Sequence, residues 1–293
     1  MSSTIEAAEA VPALVEGAAR PASRRLPRPT LVLSLLIVAF FVVAALVPAL
    51  LTSRSPVAID LADALRAPSL SHPMGTDQSG RDVYTRVVYG ARQSLLIGLG
   101  ATAIGLSLAL LLGTLAGLGP RLVDGVVNRF LEVAFAFPVL LLALLLVAVF
   151  GASVSTEIVA VGVGIAPGYA RMVRGQVLAV KGSGYVEAAH ALGHSFGRVT
   201  RRHILPNALR PLVVVGTMGV GQSIVWASGL AFLGLGVAPP ASEWGAMLDA
   251  GRSYVTHAWW LEVMPGLAIV AFTMAVTTIG RYVQLRLEGG LDR

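Results

Sequence analysis

The sequence predicts an all-α integral membrane protein with six transmembrane helices, and three observations carry that prediction. Hydrophobic residues make up 55% of the 293 residues and charged residues 13%, with a mean hydropathy of +0.76. One soluble domain of this length cannot bury that much apolar surface, so lipid must be a large part of its solvent. The apolar residues gather in six runs close to the length a helix needs to cross about 30 Å of hydrocarbon at 1.5 Å per residue. Lys and Arg, finally, concentrate in alternate segments between those runs. Backbone amides find no water inside lipid, so the runs must be helices; a barrel would show short alternating segments instead.

Residues 1–30 are rich in Ala, Glu, Arg and Pro and carry Arg20, Arg24, Arg25 and Arg28 just before the first run. They lack the early apolar core of a cleaved signal peptide and read as a cytoplasmic tail. The spans follow at 31–51, 94–118, 131–150, 157–173, 211–233 and 261–283, the fourth and sixth being less apolar, and 285–293 forms a second tail. Between the first two spans, Tyr84, Val87, Val88, Ala91 and Leu95 recur at helical spacing, which predicts an amphipathic helix leading into the second span, either lying in the outer interface or simply packing against protein. The segments on one side of the membrane hold 16 Lys and Arg against 6 on the other, when Arg171 and Arg281 are assigned to the segments they adjoin. Positive charge is retained inside, so both termini are expected in the cytoplasm of a multi-pass protein.

The net charge of +6 is spread over short segments rather than gathered on one domain, which argues against nucleic acid. No cysteine is present, so disulfides, thiolate metal sites and cysteine nucleophiles are excluded. The only lysine is Lys181 and no glycine-rich phosphate loop occurs, so a nucleotide would have to bind another chain. His190 and His194 lie one helical turn apart, but no carboxylate or cysteine completes a metal site, and no metal or cofactor is expected here. Thr76, Asp77, Arg81 and Asp82 form a charged cluster that reads as structural. Glu132 and Glu157 fall near span ends, within reach of the interface, and Arg171 and Arg174 are expected to point to the cytoplasm.

The largest segment on the basic side, 184–207, reads as a short exposed helix. Glu187 stands in its first turn, where the helix dipole favours a carboxylate; Ala188, Ala189 and Ala191 form a thin, strongly helical stretch; Gly193 permits a turn. Pro206 lacks a backbone donor and marks the start of the fifth span. In that span Gln222 and Ser223, with Trp226, are candidates for a translocation path, while Gly216, Gly219 and Gly221 suit close helix packing. After it, the tandem Pro239-Pro240 stops the helix, and Trp244 follows in what reads as an external loop.

Glu187-Ala188-Ala189, Gly193 six residues past the glutamate, and Leu205-Pro206 twelve residues further resemble the EAA loop of ABC importer permeases. His203-Ile204-Leu205-Pro206-Asn207 is similar to the peptide-importer branch. Two further blocks, His72 to Asp82 followed by Arg86, Gly90, Arg92 and Ser94-Leu95, and Leu230 to Pro240 followed by Trp244-Gly245, resemble the C-type subunit of dipeptide, oligopeptide, nickel and glutathione importers. Trp259-Trp260 with Pro265-Gly266-Leu267 extends the likeness, which covers about residues 31–280 and departs at Thr277 to Arg281 and Leu291 to Arg293.

The resemblance implies a type I ABC importer permease fold whose core is spans two to six, within a permease domain at 31–284. It implies a second homologous permease subunit, two partner ATPase domains that bind ATP and Mg, and an extracytoplasmic substrate-binding protein. Within 184–207, Tyr185, Glu187, Ala188, Ala189, Gly193, Ile204, Leu205 and Pro206 would couple to the ATPase: Glu187 as a salt-bridging anchor, Ala188 and Ala189 as the close contact surface, Gly193 as the turn. Pro239, Pro240 and Trp244 would shape an outer gate or seat the binding protein. Peptides are the expected cargo, with nickel, glutathione or haem as alternatives; a secondary transporter working without an ATPase is the reading outside the class.

Overall fold

The computed structural model describes residues 28–238 and 240–288, without the side chains of Arg28 and Glu288, and these residues are helical apart from the connecting segments, the longest of them at 51–82, where one isolated bridge joins Thr76 and Asp82. Ten α-helices follow in order: α1 (Arg28–Leu46), α2 (Val83–Leu118), α3 (Arg121–Ala136), α4 (Val139–Phe150), α5 (Val154–Lys181), α6 (Gly184–Ala191), α7 (Phe196–Val199), α8 (Leu205–Leu230), α9 (Trp244–Gly251) and α10 (Trp260–Glu288). Most of the two predicted tails lies outside the described residues. Residues 285–288, read as tail, continue α10.

Four helices are long and apolar enough to cross a membrane, or five if a sharply bent pair counts as one span, against the six expected. The third predicted span is not one helix: α3 and α4 meet at 86°. Pro138 causes the break, because it lacks a donor and drives the preceding Phe137 out of the helical region, to φ −77° and ψ 125°. At 12 residues, α4 is about 18 Å long and too short to cross alone. The fourth expected span lies within α5, a helix of 28 residues that carries Glu157, Arg171, Arg174 and Lys181 and is too polar to pass on composition.

What supports α5 instead is the close approach of α2. One face of α2 is built from Ala101, Gly105, Ala109, Gly113, Ala116 and Gly117, all buried. A Cβ on Gly113 would stand 2.6 Å from the Ala170 carbonyl oxygen and from the Val173 Cβ, so the two backbones pack with no room for a side chain between them. Gly105 faces Ile165 and Gly117 faces Val177, so the two helices run parallel. On a neighbouring face Gly98 abuts Ile224, and Gly219 abuts Thr102 and Tyr169, which sets α8 antiparallel to α2. Gly221 against Thr273 and Gly280 against Met218 return α10 antiparallel to α8. The chain therefore leaves Arg28, Glu288 and α6 at one end of the bundle, and segment 52–82 with α9 at the other.

The amphipathic stretch before the second span is no separate interfacial helix. It is the first turns of α2, which runs unbroken for 36 residues, and Val83, Val87, Val88 and Ala91 are buried in protein. Asp82 caps it, accepting from the Thr85 backbone nitrogen at 2.9 Å and the Thr85 hydroxyl at 2.7 Å. Segment 52–82 is tied into a knot beside this cap. Asp77 accepts from Ser79 N and Arg81 N, from Arg81 Nε at 2.7 Å and from the Arg86 guanidinium, and Arg86 donates on to the Ala241 carbonyl at 2.8 Å. Trp260 Nε1 donates to Thr76 O at 3.0 Å, and Gly80, at φ +75°, lies so close to the Asp60 carbonyl that a Cβ would meet it at 1.7 Å. The charged cluster is structural, as read.

Replacing Gly113 by Leu is expected to wedge α2 from α5 and to leave little of the chain folded; monodisperse protein recovered in detergent at wild-type yield would contradict this packing.

Candidate functional site

Segment 184–207 folds as a bracket at the end of the bundle that holds Arg28 and Glu288. Ser183 precedes α6, with its hydroxyl donating to the Val180 carbonyl, and Gly193 ends the turn after it at φ +79°, a conformation that favours glycine. Helix α7 follows, then the π-helical turn Thr200–Ile204, which runs directly into α8 with Pro206 in its first turn. The Asn207 side chain donates to the His203 carbonyl at 2.7 Å across that junction.

The bracket has two faces. Val186, Ala189, Val199 and Ile204 point inward and are buried in one cluster with Ala109, Leu131, Ala170, Val173, Val177, Ala208 and Leu212; α6 packs on α5, and the turn Thr200–Ile204 packs on α5 and α8. Tyr185, Glu187, Ala188 and Pro206 are exposed, and Leu205 is half-buried. Of the eight predicted coupling residues, Ala189 and Ile204 face inward and pack in this cluster. Ala188 is exposed beside the buried Ala189, because adjacent residues on a helix lie about 100° apart. Glu187 has no ion-pair partner among the described residues.

Sequence reasoning missed Leu192 and Phe196, which stand 78% and 54% exposed beside Arg198, Arg201 and Arg202. The available signal was two large apolar side chains in a segment that its charge assigned to water. His190 and His194 do not converge: His190 Nδ1 lies 3.0 Å from the Val186 carbonyl, while His194 stacks on His203 with ring centroids 6.5 Å apart. Behind the bracket, Arg174 clasps Asp124 through two hydrogen bonds of 2.6 and 2.8 Å, and the Arg171 guanidinium lies 3.7 Å over the Phe135 ring. Neither arginine is simply presented to solvent. Both tie α5 to α3.

The candidates elsewhere separate in the same way. Gln222 is exposed and accepts from the Tyr169 hydroxyl at 3.3 Å, and Trp226 is half-buried. Ser223 is fully buried and shares a 3.0 Å hydrogen bond with Thr102, so it joins α8 to α2 and lines no surface. Pro239 lies outside the described residues, and Pro240 is exposed. Trp244 faces inward: its ring is fully buried, 5.0 Å from Phe41 and 6.3 Å from Phe272, and its Nε1 donates to the Val87 carbonyl at 2.9 Å.

Two acidic groups are buried near the opposite end. Glu243 caps α9 by accepting from Gly245 N and Ala246 N and accepts from Ser94 Oγ; burial pushes its carboxyl above the usual range, against the lowering effect of those three donors. Glu157 is 1% exposed, not at the interface as read, and neither of its carboxyl oxygens has a hydrogen-bond partner among the described residues. It sits in the first turn of α5, on the face that also buries Thr156 and Ala160, while Ser155 beside it is exposed.

Residues 109–293 match the family described as the binding-protein-dependent transport system inner membrane component. The chain belongs to that family. This inner membrane component is 37% identical to the dipeptide transport system permease protein DppC of Alkalihalophilus pseudofirmus, over 85% of this chain and 82% of that one. It is 39% identical to the di/tripeptide transport system permease protein DppC of Pseudomonas aeruginosa, over 71% and 68% of the two chains. It is also 39% identical to the glutathione transport system permease protein GsiD of Pectobacterium atrosepticum, over 73% and 71%. Its fold is that of a chain in a solved amino acid ABC transporter, with a TM-score of 0.58 at 17% identity over 69% of this chain and 94% of that one. A chain of the MetNI methionine ABC transporter in an inward-facing conformation gives 0.57 at 19% identity, over 69% and 95%.

In this inner membrane component Ala188→Arg should leave the melting temperature of the detergent-solubilised chain unchanged within error, whereas Ala189→Arg should lower it by several degrees; equal effects would mean that α6 is rotated from the position described. Glu157→Leu is expected to raise that temperature by removing a buried polar group without a partner, at about 2–4 °C for each kcal/mol, and a fall would reveal a partner for the carboxyl.

Proposed function

We propose that this chain is a permease subunit that moves di- and oligopeptides across the bacterial inner membrane, driven by ATP that partner subunits bind with Mg and hydrolyse. The observation that carries the reading is the bracket, whose short helix α6 packs on α5 and whose turn Thr200–Ile204 packs on α5 and α8, while it presents Tyr185, Glu187, Ala188, Leu192 and Phe196 to the outside. A partner can shift the equilibrium between two transporter states only if it binds them with different free energies, and it can transmit the difference only through a rigid contact. A helix with one face in the core and the other free meets that requirement.

Positive charge supports the orientation. Arg121, Arg174, Lys181, Arg210, Arg281 and Arg286 lie in the bracket-side halves of their helices and Arg198, Arg201 and Arg202 in the bracket itself, so in this reading that side is the cytoplasm and both termini lie there. A second, homologous permease completes the pore, two ATPase domains bind beneath the brackets, and an extracytoplasmic binding protein delivers the cargo. The chain itself performs no chemistry in this reading. Peptide as cargo follows the relatives named for dipeptides and tripeptides, and the relatives named for glutathione, itself a tripeptide, make that the second candidate.

Glu187→Lys, co-expressed with the partner subunits, should leave the complex assembled but reduce the gain in ATP hydrolysis on adding peptide by at least about tenfold, the scale of losing one charge-assisted contact of 1.5–3 kcal/mol. Stimulation by the variant equal to wild type would falsify the role of Glu187. Transport of peptide by the chain reconstituted alone, without nucleotide, would replace the whole reading with a secondary transporter.

A further inference from the structure

One face of α5 is left open. Gly168, Arg171 and Gly175 recur at i, i+3 and i+7, which places them on one strip of the helix, and Gly168 is half-buried while Arg171 and Gly175 are exposed. A Cβ on Gly168 would touch only the Phe135 ring of α3, at 3.8 Å, and one on Gly175 would meet nothing within 4 Å. On the flank toward α8, the Tyr169 hydroxyl donates to the exposed Gln222 at 3.3 Å. The charge on the strip is Arg171. Its guanidinium lies 3.7 Å over the Phe135 ring, so one planar face is stacked, while its N–H edges meet no carboxylate or carbonyl among the described residues. Arg171 stands ten residues before the end of α5 at Lys181, about 15 Å from that end. A snorkelling arginine would turn toward the bracket. This one turns away from it, because the ring that holds the guanidinium packs on Gly168, one turn nearer the middle of the bundle.

We infer that Arg171 binds the terminal carboxylate of a peptide passing along this strip, an inference that deepens the peptide-importer reading above and rests on it. Three observations choose this occupant. The first is charge. A guanidinium without an anionic partner, held inside a bundle that crosses lipid, is costly unless an anion visits it, and its parallel N–H groups match the two oxygens of a carboxylate. The second is shape: Gly168 and Gly175 put bare backbone on either side of Arg171, so an extended chain of any sequence can lie close. The third is polarity. Gln222 and the Tyr169 hydroxyl offer neutral hydrogen-bonding groups on the flank, which suit the amides that follow a terminal carboxylate. Phospholipid phosphates fit less well, because they stay at the rim of the hydrocarbon core while this guanidinium is drawn toward its middle. Phe135 is the positioning residue, since its ring holds the guanidinium beside the strip.

The test uses the complete transporter in nanodiscs, without nucleotide, and radiolabelled trialanine as the probe. Unlabelled trialanine should displace the label at a concentration about tenfold lower than trialanine amide, the scale of one charge-assisted pair. Arg171→Gln should bring acid and amide to the same value, and Arg171→Lys should keep part of the difference. Phe135→Leu, which removes the ring but leaves the charge, should keep more of it than Arg171→Gln. Equal displacement by acid and amide in the wild type would overturn the assignment. So would a full difference that survives Arg171→Gln, which would mean that Arg171 meets lipid or a partner chain and the carboxylate binds elsewhere. Uptake of trialanine by the reconstituted wild-type complex without ATP would overturn the importer reading instead, and would leave the acid-over-amide preference standing.

Discussion

The close approach of α2 to its neighbours is the constraint on which the rest of the structure depends. With no water to expel between helices in lipid, association rests on dispersion contacts and on how near two backbones can come. The glycine and alanine face of α2 brings α5 to distances at which a single Cβ at Gly113 would strike the Ala170 carbonyl, and its neighbouring face seats Ile224 of α8 against Gly98. Because α5 is held in this way, it tolerates Glu157, Arg171, Arg174 and Lys181, which its own hydropathy would not permit in a lone span.

The same helix joins the two ends of the molecule. At one end, its cap Asp82, its Arg86 and its Ser94 are bound into the knot and to Glu243 of the α9 cap. At the other, Ala109 lies in the cluster that holds Val186 and Ala189 of α6. A rod of 36 residues, about 54 Å long, is stiff enough to report the position of one end to the other, and it exceeds the hydrocarbon thickness it crosses. The break between α3 and α4 is the counterpart. An 86° bend at Pro138 places a discontinuity beside a bundle that is otherwise continuous, and the Arg174–Asp124 clasp limits α3 at its start.

Several features were legible in the sequence because they depend on local chemistry. Glu187 in a first turn, Gly193 at a left-handed stop and Pro206 in the first turn of α8 are each dictated by backbone geometry within a few residues, and the structure places all three as read. The spacing of the 184–207 motif and the His72 to Asp82 block led to the family without any knowledge of contacts, since motifs are linear. Side-chain direction was not legible. Ala188 and Ala189 are indistinguishable in composition and opposite in exposure, and Trp244 and Ser223, polar enough to suggest a surface, are core groups because Val87 and Thr102 supply their hydrogen bonds from more than a hundred residues away.

By itself, the sequence determined the all-helical class, the existence of the apolar runs and the asymmetry of charge, since each follows from composition, periodicity or spacing along the chain, and the resemblance of its motifs pointed to the family. Only the tertiary structure decided that one expected span is broken, that the interfacial helix is the start of α2, that Glu157 is enclosed without a partner and that Leu192 and Phe196 stand free. The break is local to Pro138, and the other three share one physical reason. Burial in a membrane bundle is a property of which backbones approach one another, and in α2 that is set by the absence of side chains, which leaves no hydrophobic signal in the sequence to read.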